Sequence, residues 1–177
     1  MSFAESYSKK GRTEMIPRYL NETLALNSEP RAAAYIKAIT DKTRAILVVS
    51  PNNPTGSYLK HAELRALEAL ELPIISDEVF ADYALREDSS RVWTARESTR
   101  ALTFSLGGLS KQAGLPQWKV AWLCLNGPAA AVAEASARLE LIADTYLSVA
   151  TPTQQALPEL LRITEDVQRA ILQRLAR

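Results

Sequence analysis

Short apolar runs alternate with amphipathic segments along the middle of the chain. Residues 45–49 form an uninterrupted apolar run, Ala-Ile-Leu-Val-Val, which is typical of a parallel strand buried on both faces. Residues 51–56 are rich in Pro and Asn and predict a turn, and leucines then recur at every third position over residues 64–70. Residues 73–77 have the pattern of a second short strand. Strand, helix and strand in this order predict a βαβ unit with parallel strands and a right-handed crossover.

Two more strands are predicted further along the chain, at residues 101–106 and 120–125. The linker between them contains three glycines and a proline, so it is too poor in helix formers to supply a crossover helix. A parallel return normally requires such a helix, and we therefore expect the fourth strand to run antiparallel to the third. This direction places Lys119, which precedes the fourth strand, at the sheet edge where the third strand ends.

Helices are predicted on both sides of these strands. An Ala-rich segment at residues 31–39 favours a short helix, whereas residues 1–30 show little periodicity and receive no assignment. Asn-Gly-Pro at residues 126–128 is a start signal for a helix that extends to about Tyr146. One final helix is predicted over about residues 153–175, and its apolar stripe requires a partner surface. The stripe consists of Leu160, Ile163, Val167, Ile171 and Leu175.

Composition excludes several classes of protein. The 177 residues are 47% hydrophobic, which suffices for one domain with a buried core. A net charge of +1 indicates neither nucleic acid nor a membrane surface as a partner. With one His and one Cys, the chain cannot supply the usual ligands of a structural zinc site or form an internal disulfide. Because no apolar run approaches the roughly 18 residues of a membrane helix, we expect a cytoplasmic protein.

Polar side chains follow the predicted strands at one edge of the sheet. Asn53 follows the first strand, Asp77 ends the second, Ser105 lies near the end of the third, and Lys111 follows in a Gly-rich loop. Each has an ordinary alternative role: Asn53 as a turn former, Asp77 as a helix cap and Lys111 as a solvated lysine. Ligands of open α/β sheets bind at the carboxyl ends of the strands, so the combination indicates a binding site.

Three motifs make the pattern more specific. Residues 52–56 read Asn-Asn-Pro-Thr-Gly, residues 76–83 read Ser-Asp-Glu-Val-Phe-Ala-Asp-Tyr, and residues 109–116 contain Leu-Ser-Lys and then Gly-Leu-Pro. In order and spacing these motifs resemble the class I/II aminotransferases, which are pyridoxal-phosphate enzymes of fold type I. The resemblance extends over about residues 43–158. It implies an α/β fold, namely part of a three-layer α/β/α large domain with a mostly parallel sheet and one antiparallel strand.

The resemblance also implies roles for individual residues. Lys111 corresponds to the lysine that forms the Schiff base with the cofactor and then transfers the substrate α-proton. Asp77 corresponds to the carboxylate that pairs with the pyridine nitrogen and keeps it protonated. Asn53 corresponds to the side chain that hydrogen-bonds the phenolic oxygen. Ser105 and Ser110 are candidates for contact with the cofactor phosphate.

Three positions depart from the family pattern. Phe80 stands where the family commonly has a tyrosine that also reaches the phenolic oxygen, so Asn53 is expected to act alone there. Gly108 stands where a serine often contacts the phosphate. Lys119 stands where an arginine usually binds the phosphate, so the charge is kept but the bidentate fork is lost.

The resemblance covers only part of such an enzyme, because family chains are roughly twice as long. We expect residues 31–150 to be part of the cofactor-binding large domain and residues 151–177 to form a helix leading toward a small domain. The implied reaction is amino transfer between an amino acid and a 2-oxo acid, in a homodimer or with a complementing fragment. A lyase of the same fold and a non-catalytic, degenerate cofactor-binding domain remain open, and the chain is expected to have little or no activity by itself.

Overall fold

The structure, a computed structural model, describes residues 36–146 and 148–176. The chain divides into two compact units between Asp41 and Lys42. In the first unit, residues 36–38 are helical, in agreement with the end of the helix predicted over residues 31–39. The beginning of that helix and the unassigned residues 1–30 lie outside the described residues. The second unit contains the sheet and the candidate site residues.

The sheet has four strands in the order β1-β2-β3-β4. They are β1 (Ile46–Val49), β2 (Ile74–Asp77), β3 (Thr103–Gly108) and β4 (Ala121–Asn126). The first three are parallel, whereas β4 pairs antiparallel with β3. The predicted α/β class with a mostly parallel sheet and one antiparallel strand is therefore confirmed. The antiparallel return follows from the β3–β4 linker, whose α-helix is only four residues long.

Five α-helices and two short 3-10 turns connect or follow the strands in the part of the chain that the structure describes. The helices are α1 (His61–Glu68), α2 (Leu109–Gln112), α3 (Ala129–Tyr146), α4 (Thr151–Arg162) and α5 (Thr164–Leu175), and the turns are Ala95–Glu97 and Pro116–Trp118. Helix α1 is the crossover between β1 and β2. Its start is fixed by Glu63, whose Oε2 accepts a hydrogen bond of 2.8 Å from the Lys60 N–H, and Leu64 and Leu67 bury its apolar side.

The two faces of the sheet differ in burial. On one face, Ile46, Val48 and Ile74 are at most 3% exposed. On the other, Leu47 of β1 is 55% exposed and Leu123 of β4 is 45% exposed. The expectation that the first strand is buried on both faces is therefore wrong for Leu47. An apolar run indicates that both faces can be buried, but covering them requires a second layer of packed residues.

The prediction of one helix over residues 153–175 is also wrong, because two helices meet at Ile163. Ile163 and Thr164 are consecutive β-branched residues, which restrict side-chain rotamers in a helix and lower its stability at this point. Leu160 packs on the buried cluster that includes Leu109 and Val120, so α4 folds back onto the β3–β4 linker. Ile163, a member of the predicted stripe, is 43% exposed.

Candidate active site

Asp77 is the last residue of β2, at the carboxyl edge of the parallel strands. Its neighbours in the sheet register are Val49 of β1 and Leu106 of β3, so its side chain shares a face with theirs. Its Oδ1 accepts a hydrogen bond of 3.2 Å from the backbone N–H of Val79. The end of β2 thus positions a half-buried carboxylate whose second oxygen can accept a proton or a hydrogen bond from a ligand.

Glu78, the next residue, lies on the opposite face. Its Oε1 accepts hydrogen bonds from the Ala95 N–H (2.7 Å) and from the Ser105 hydroxyl (3.0 Å). Ser105 is 4% exposed and pairs in register with Ser76, so its side chain points away from the face of Asp77. The structure does not bring Ser105 together with Asp77. A cofactor-binding role for Ser105 remains a prediction that none of its contacts supports.

Lys111 lies on α2, directly after β3, and its side chain is exposed. Its Nζ is 5.9 Å from the centroid of the Phe80 ring, in a cation–π contact. Phe80 in turn packs edge-to-face on Tyr83, with ring centroids 6.4 Å apart. The segment after β2 therefore reaches the lysine that follows β3, although Phe80 has no hydroxyl to offer.

Tyr83 was not identified as a functional residue from the sequence, although it ends the second motif. Its hydroxyl donates a hydrogen bond of 2.6 Å to the backbone carbonyl of Lys111. Burial, and then the negative charge of Asp82, raise the pKa of Tyr83 above its ordinary value, so the hydroxyl stays protonated as a donor. Tyr83 thereby links the segment after β2 to the backbone that carries Lys111.

Ser110 and Lys119 lie at the same edge of the sheet as Lys111. Ser110 is half-buried on α2. Lys119 is exposed and ends the 3-10 turn that precedes β4, with a left-handed φ of 53°. Because Gly108 of β3 pairs with Ala121 of β4, the residues before β4 lie beside the end of β3. This is the placement of Lys119 that the antiparallel return predicts.

Asn53 lies in the loop after β1, which Asn52 organises. The backbone of Asn52 accepts a hydrogen bond of 2.6 Å from the Gly56 N–H, and its side chain accepts one of 3.1 Å from Thr55 Oγ1. Gly56 has a φ of +69°, which closes this turn at low cost for glycine. Asn52 is buried and Asn53 is exposed, so the first asparagine holds the loop and the second is presented at the surface.

Asn53 and Phe80 line a common cavity of about 600 Å³. Phe80 also contacts Lys111, so it lies between this cavity and the lysine. Asn53, Phe80, Lys111, Ser110 and Lys119 thus lie at or beside the same edge of the sheet as Asp77, whereas Ser105 lies across the sheet. This convergence follows from the parallel order of β1, β2 and β3.

A second residue that sequence reasoning missed is Arg91, which also lines this cavity. It is 6% exposed, and its guanidinium carbon lies 4.9 Å from the ring centroid of Tyr58 and 3.9 Å from that of Trp93. Its Nη1 is buried without a hydrogen-bond partner. A desolvated cation–π contact is worth about 2 kcal/mol, whereas burying an unpaired charge costs several kcal/mol. No local sequence pattern marks such a position.

The described residues contain neither a candidate metal site nor a helix suited to span a membrane. They contain no group of three or more His, Cys, Asp or Glu side chains that could hold a metal ion. None of the helices formed by residues 36–146 and 148–176 combines the length and apolar character that a membrane span requires.

Comparison with known proteins identifies the family. Residues 18–177 match the family described as aminotransferase class I and II, and the chain belongs to this family. It is 34% identical over 134 residues to S-alkyl-thiohydroximate lyase SUR1 of Arabidopsis thaliana, covering 71% of this chain and 29% of that protein. It is 32% identical over 123 residues to the glutamate-pyruvate aminotransferase AlaA of Escherichia coli, covering 67% of this chain and 30% of that protein.

Solved structures agree with this assignment. The alanine aminotransferase from Pyrococcus furiosus matches with a TM-score of 0.67 and 26% identity, over 81% of this chain and 37% of that one. The fold expected from the three motifs is therefore confirmed. The chain spans about 30% of the length of the curated relatives described above.

Proposed function

We propose that this chain contributes the lysine-bearing part of a pyridoxal-phosphate-dependent aminotransferase, which moves an amino group between an amino acid and a 2-oxo acid. The observation that supports this most directly is the position of Lys111, which Tyr83 and Phe80 hold at the carboxyl edge of β1, β2 and β3. Membership of the aminotransferase family and the names of AlaA and the Pyrococcus furiosus relative support the same reaction.

The side chains at this edge have the chemistry that pyridoxal phosphate requires. When bound, this cofactor supplies an electron sink for a carbanion at the substrate α-carbon. Asp77 offers a carboxylate that can hold a proton at the pyridine nitrogen, and the exposed Asn53 amide can donate to the phenolic oxygen. Ser110 and Lys119 offer a hydroxyl and an ammonium group for the phosphate. Lys119 binds as a point charge, without the bidentate geometry of arginine.

Lys111 has two tasks in this proposal. Its Nζ would hold the cofactor, and as a free amine it would take the proton from the substrate α-carbon and return it. Both tasks require that the backbone at Lys111 stays in place while its side chain moves. The hydrogen bond from Tyr83 to the Lys111 carbonyl meets this requirement, because it fixes the backbone and leaves the ammonium group exposed.

The organisation of the whole enzyme is part of the same proposal. Residues 31–150 belong to the large domain, and residues 151–177 lead toward a small domain. Because the chain spans about 30% of its curated relatives, binding of the substrate carboxylate and completion of the site fall to residues outside the described ones. We place the protein in the cytoplasm and expect it to act as a homodimer or with a complementing fragment.

A lyase of the same fold is the second candidate, and the name of SUR1 favours it. Lys111 and Asp77 serve any reaction that begins with loss of the α-proton, so these residues do not separate the two. Product analysis does: an aminotransferase yields a 2-oxo acid together with a new amino acid, whereas a lyase yields an elimination product.

The first experiment asks where the cofactor attaches. The chain is mixed with pyridoxal phosphate, reduced with borohydride and mapped by peptide mass spectrometry. We expect one pyridoxyl adduct, at Lys111, which is absent from the Lys111→Ala variant and unchanged in a Lys37→Ala control. Labelling scattered over many lysines, or an unchanged adduct in Lys111→Ala, would overturn the assignment of Lys111.

A further inference from the structure

The cavity beside Asn53 carries an unbalanced positive charge. Its charged lining residues are Lys60, Arg86, Arg91 and Asp88. Asp88 forms a salt bridge with Lys60, so these two charges compensate each other. Among the described residues, no acidic side chain is paired with Arg86 or Arg91. We call this cavity the Arg91 pocket.

Arg91 is the unusual member of this set, because it is more than nine-tenths buried. Tyr58 and Trp93 cover its guanidinium group, but ring faces accept no conventional N–H hydrogen bond. Its Nη1 has no acceptor, whereas buried polar atoms in native proteins nearly always have one. An anion bound in the pocket would supply this missing acceptor.

The remaining lining indicates which kind of anion fits. Most of its surface area is apolar, although polar and charged side chains also line it, and the volume of about 600 Å³ is in the range of small-molecule pockets. The apolar and aromatic members are Pro51, Pro54, Tyr58, Phe80, Tyr83 and Leu85. Such walls can accommodate the apolar body of a ligand, beside an anionic group at Arg91. The planar guanidinium fork matches a carboxylate, which it can bind through two parallel hydrogen bonds.

We propose that the Arg91 pocket binds a carboxylic acid with an apolar body, whose carboxylate pairs with the Arg91 guanidinium. The exposed Arg86 at the same cavity adds a weaker attraction for the anion. The pocket shares Asn53 and Phe80 with the candidate cofactor site, but the proposal does not rest on the proposed function. Neither Lys111 nor Asp77 lines this pocket.

The test is a titration of the ¹⁵N-labelled chain with 3-phenylpropionate, followed at the arginine Nε–H resonances. We expect a saturable shift of the Arg91 resonance. The neutral analogue 3-phenylpropan-1-ol, which has a similar apolar body, is expected to bind at least about ten-fold more weakly, because it cannot form a charge-assisted pair. Equal binding of acid and alcohol would overturn the proposal. Preferential binding of inorganic phosphate would overturn the assignment to carboxylates.

Variants locate the site. Arg91→Lys keeps the charge but loses the fork, and we expect about ten-fold weaker binding of 3-phenylpropionate. Arg65→Lys, on the exposed side of α1, is the matched control and leaves binding unchanged. If circular dichroism shows that Arg91→Lys does not fold, Arg86→Gln provides the second variant, with an expected weakening of about three-fold. Unchanged affinity in the folded Arg91→Lys variant, or in Arg86→Gln used in its place, contradicts the proposal.

Lys111→Ala separates this proposal from the proposed function. The variant loses the pyridoxyl adduct but is expected to bind 3-phenylpropionate as the unaltered chain does. Failure of cofactor attachment with carboxylate binding intact would affect the proposed function alone. Loss of carboxylate binding in Lys111→Ala would show that the acid binds at the lysine and would overturn the Arg91 assignment.

Discussion

The hydroxyl of Tyr83 donates a hydrogen bond of 2.6 Å to the backbone carbonyl of Lys111, which lies 28 residues further along the chain. This contact connects the segment after β2 to helix α2 after β3. A second hydrogen bond joins the same two segments in the opposite direction, since Gln112 Nε2 donates to Asp82 Oδ2 at 2.9 Å. The two segments that carry Asp77 and Lys111 are therefore tied together beyond the sheet itself.

Replacing Tyr83 by Phe removes the hydrogen bond and keeps the ring. We expect a loss of about 1 kcal/mol in the free energy of unfolding, the usual worth of one such bond. We also expect a lower yield of the pyridoxyl adduct at Lys111 under limiting cofactor, because the lysine backbone is no longer held. Thermal unfolding and quantitative peptide mapping measure the two effects.

Tyr146→Phe is the matched control, because Tyr146 is 78% exposed. It should change neither quantity. An adduct yield in Tyr83→Phe equal to that of the unaltered chain would show that Tyr83 does not position Lys111.

The sequence predicted the parts of this arrangement that depend on local patterns. The apolar runs located the four strands, and the helix-poor linker after Gly108 predicted the antiparallel β4 and hence the position of Lys119. The sequence did not predict features that depend on strand register or on packing between residues far apart in the chain. Ser105 pairs with Ser76 in the register, so its side chain faces Glu78 rather than Asp77. The pairing of residues on neighbouring strands cannot be read from a short stretch of sequence.

The local sequence pattern also did not predict which individual apolar residues are buried. Leu47 and Ile46 are neighbours in one apolar run, yet one is 55% exposed and the other 3%. Arg91 looks like an ordinary loop residue in the sequence, and only the rings of Tyr58 and Trp93 around it show that it is buried.

The difference in burial between Leu67 and Leu47 gives a stability prediction. Leu67, on α1, is fully buried, and Leu67→Ala should cost about 2 to 5 kcal/mol through lost burial and the cavity left behind. Leu47→Ala makes the same chemical change on the exposed face and should cost less than about 1 kcal/mol. Urea unfolding of both variants measures the difference. Equal losses would mean that residue 47 is buried in solution, for example by association of two chains.

The salt bridge between Lys60 and Asp88 gives a pH prediction. Hydrogen bonds from the Lys60 ammonium, and then from Ser90, lower the pKa of Asp88 below its ordinary value of 3.8. A carboxyl whose pKa is lower in the folded state stabilises the fold above the unfolded pKa and loses this contribution as the pH falls. Asp88→Asn should therefore lower the melting temperature slightly at pH 7, and the difference from the unaltered chain should shrink progressively below pH 3.8.

Added salt provides the control for this pair, because both side chains are about 40% exposed and screening weakens such contacts. At 1 M NaCl and pH 7 the difference between Asp88→Asn and the unaltered chain should decrease. A difference that grows on acidification would have the wrong sign for a lowered pKa and would exclude this explanation.

The two candidate phosphate serines can be separated by one pair of variants. Ser105 donates its hydroxyl to Glu78 on the face away from Asp77, whereas Ser110 lies on α2 next to Lys111. Ser110→Ala should weaken pyridoxal phosphate attachment at Lys111 by about ten-fold or more, since one hydrogen bond to a charged group is lost. Ser105→Ala should leave attachment unchanged but lower the free energy of unfolding by about 1 to 3 kcal/mol, because Glu78 Oε1 loses a partner in a part-buried contact. Adduct yield against cofactor concentration and urea unfolding distinguish the two effects, and weaker attachment in Ser105→Ala at unchanged stability would make Ser105 a cofactor residue after all.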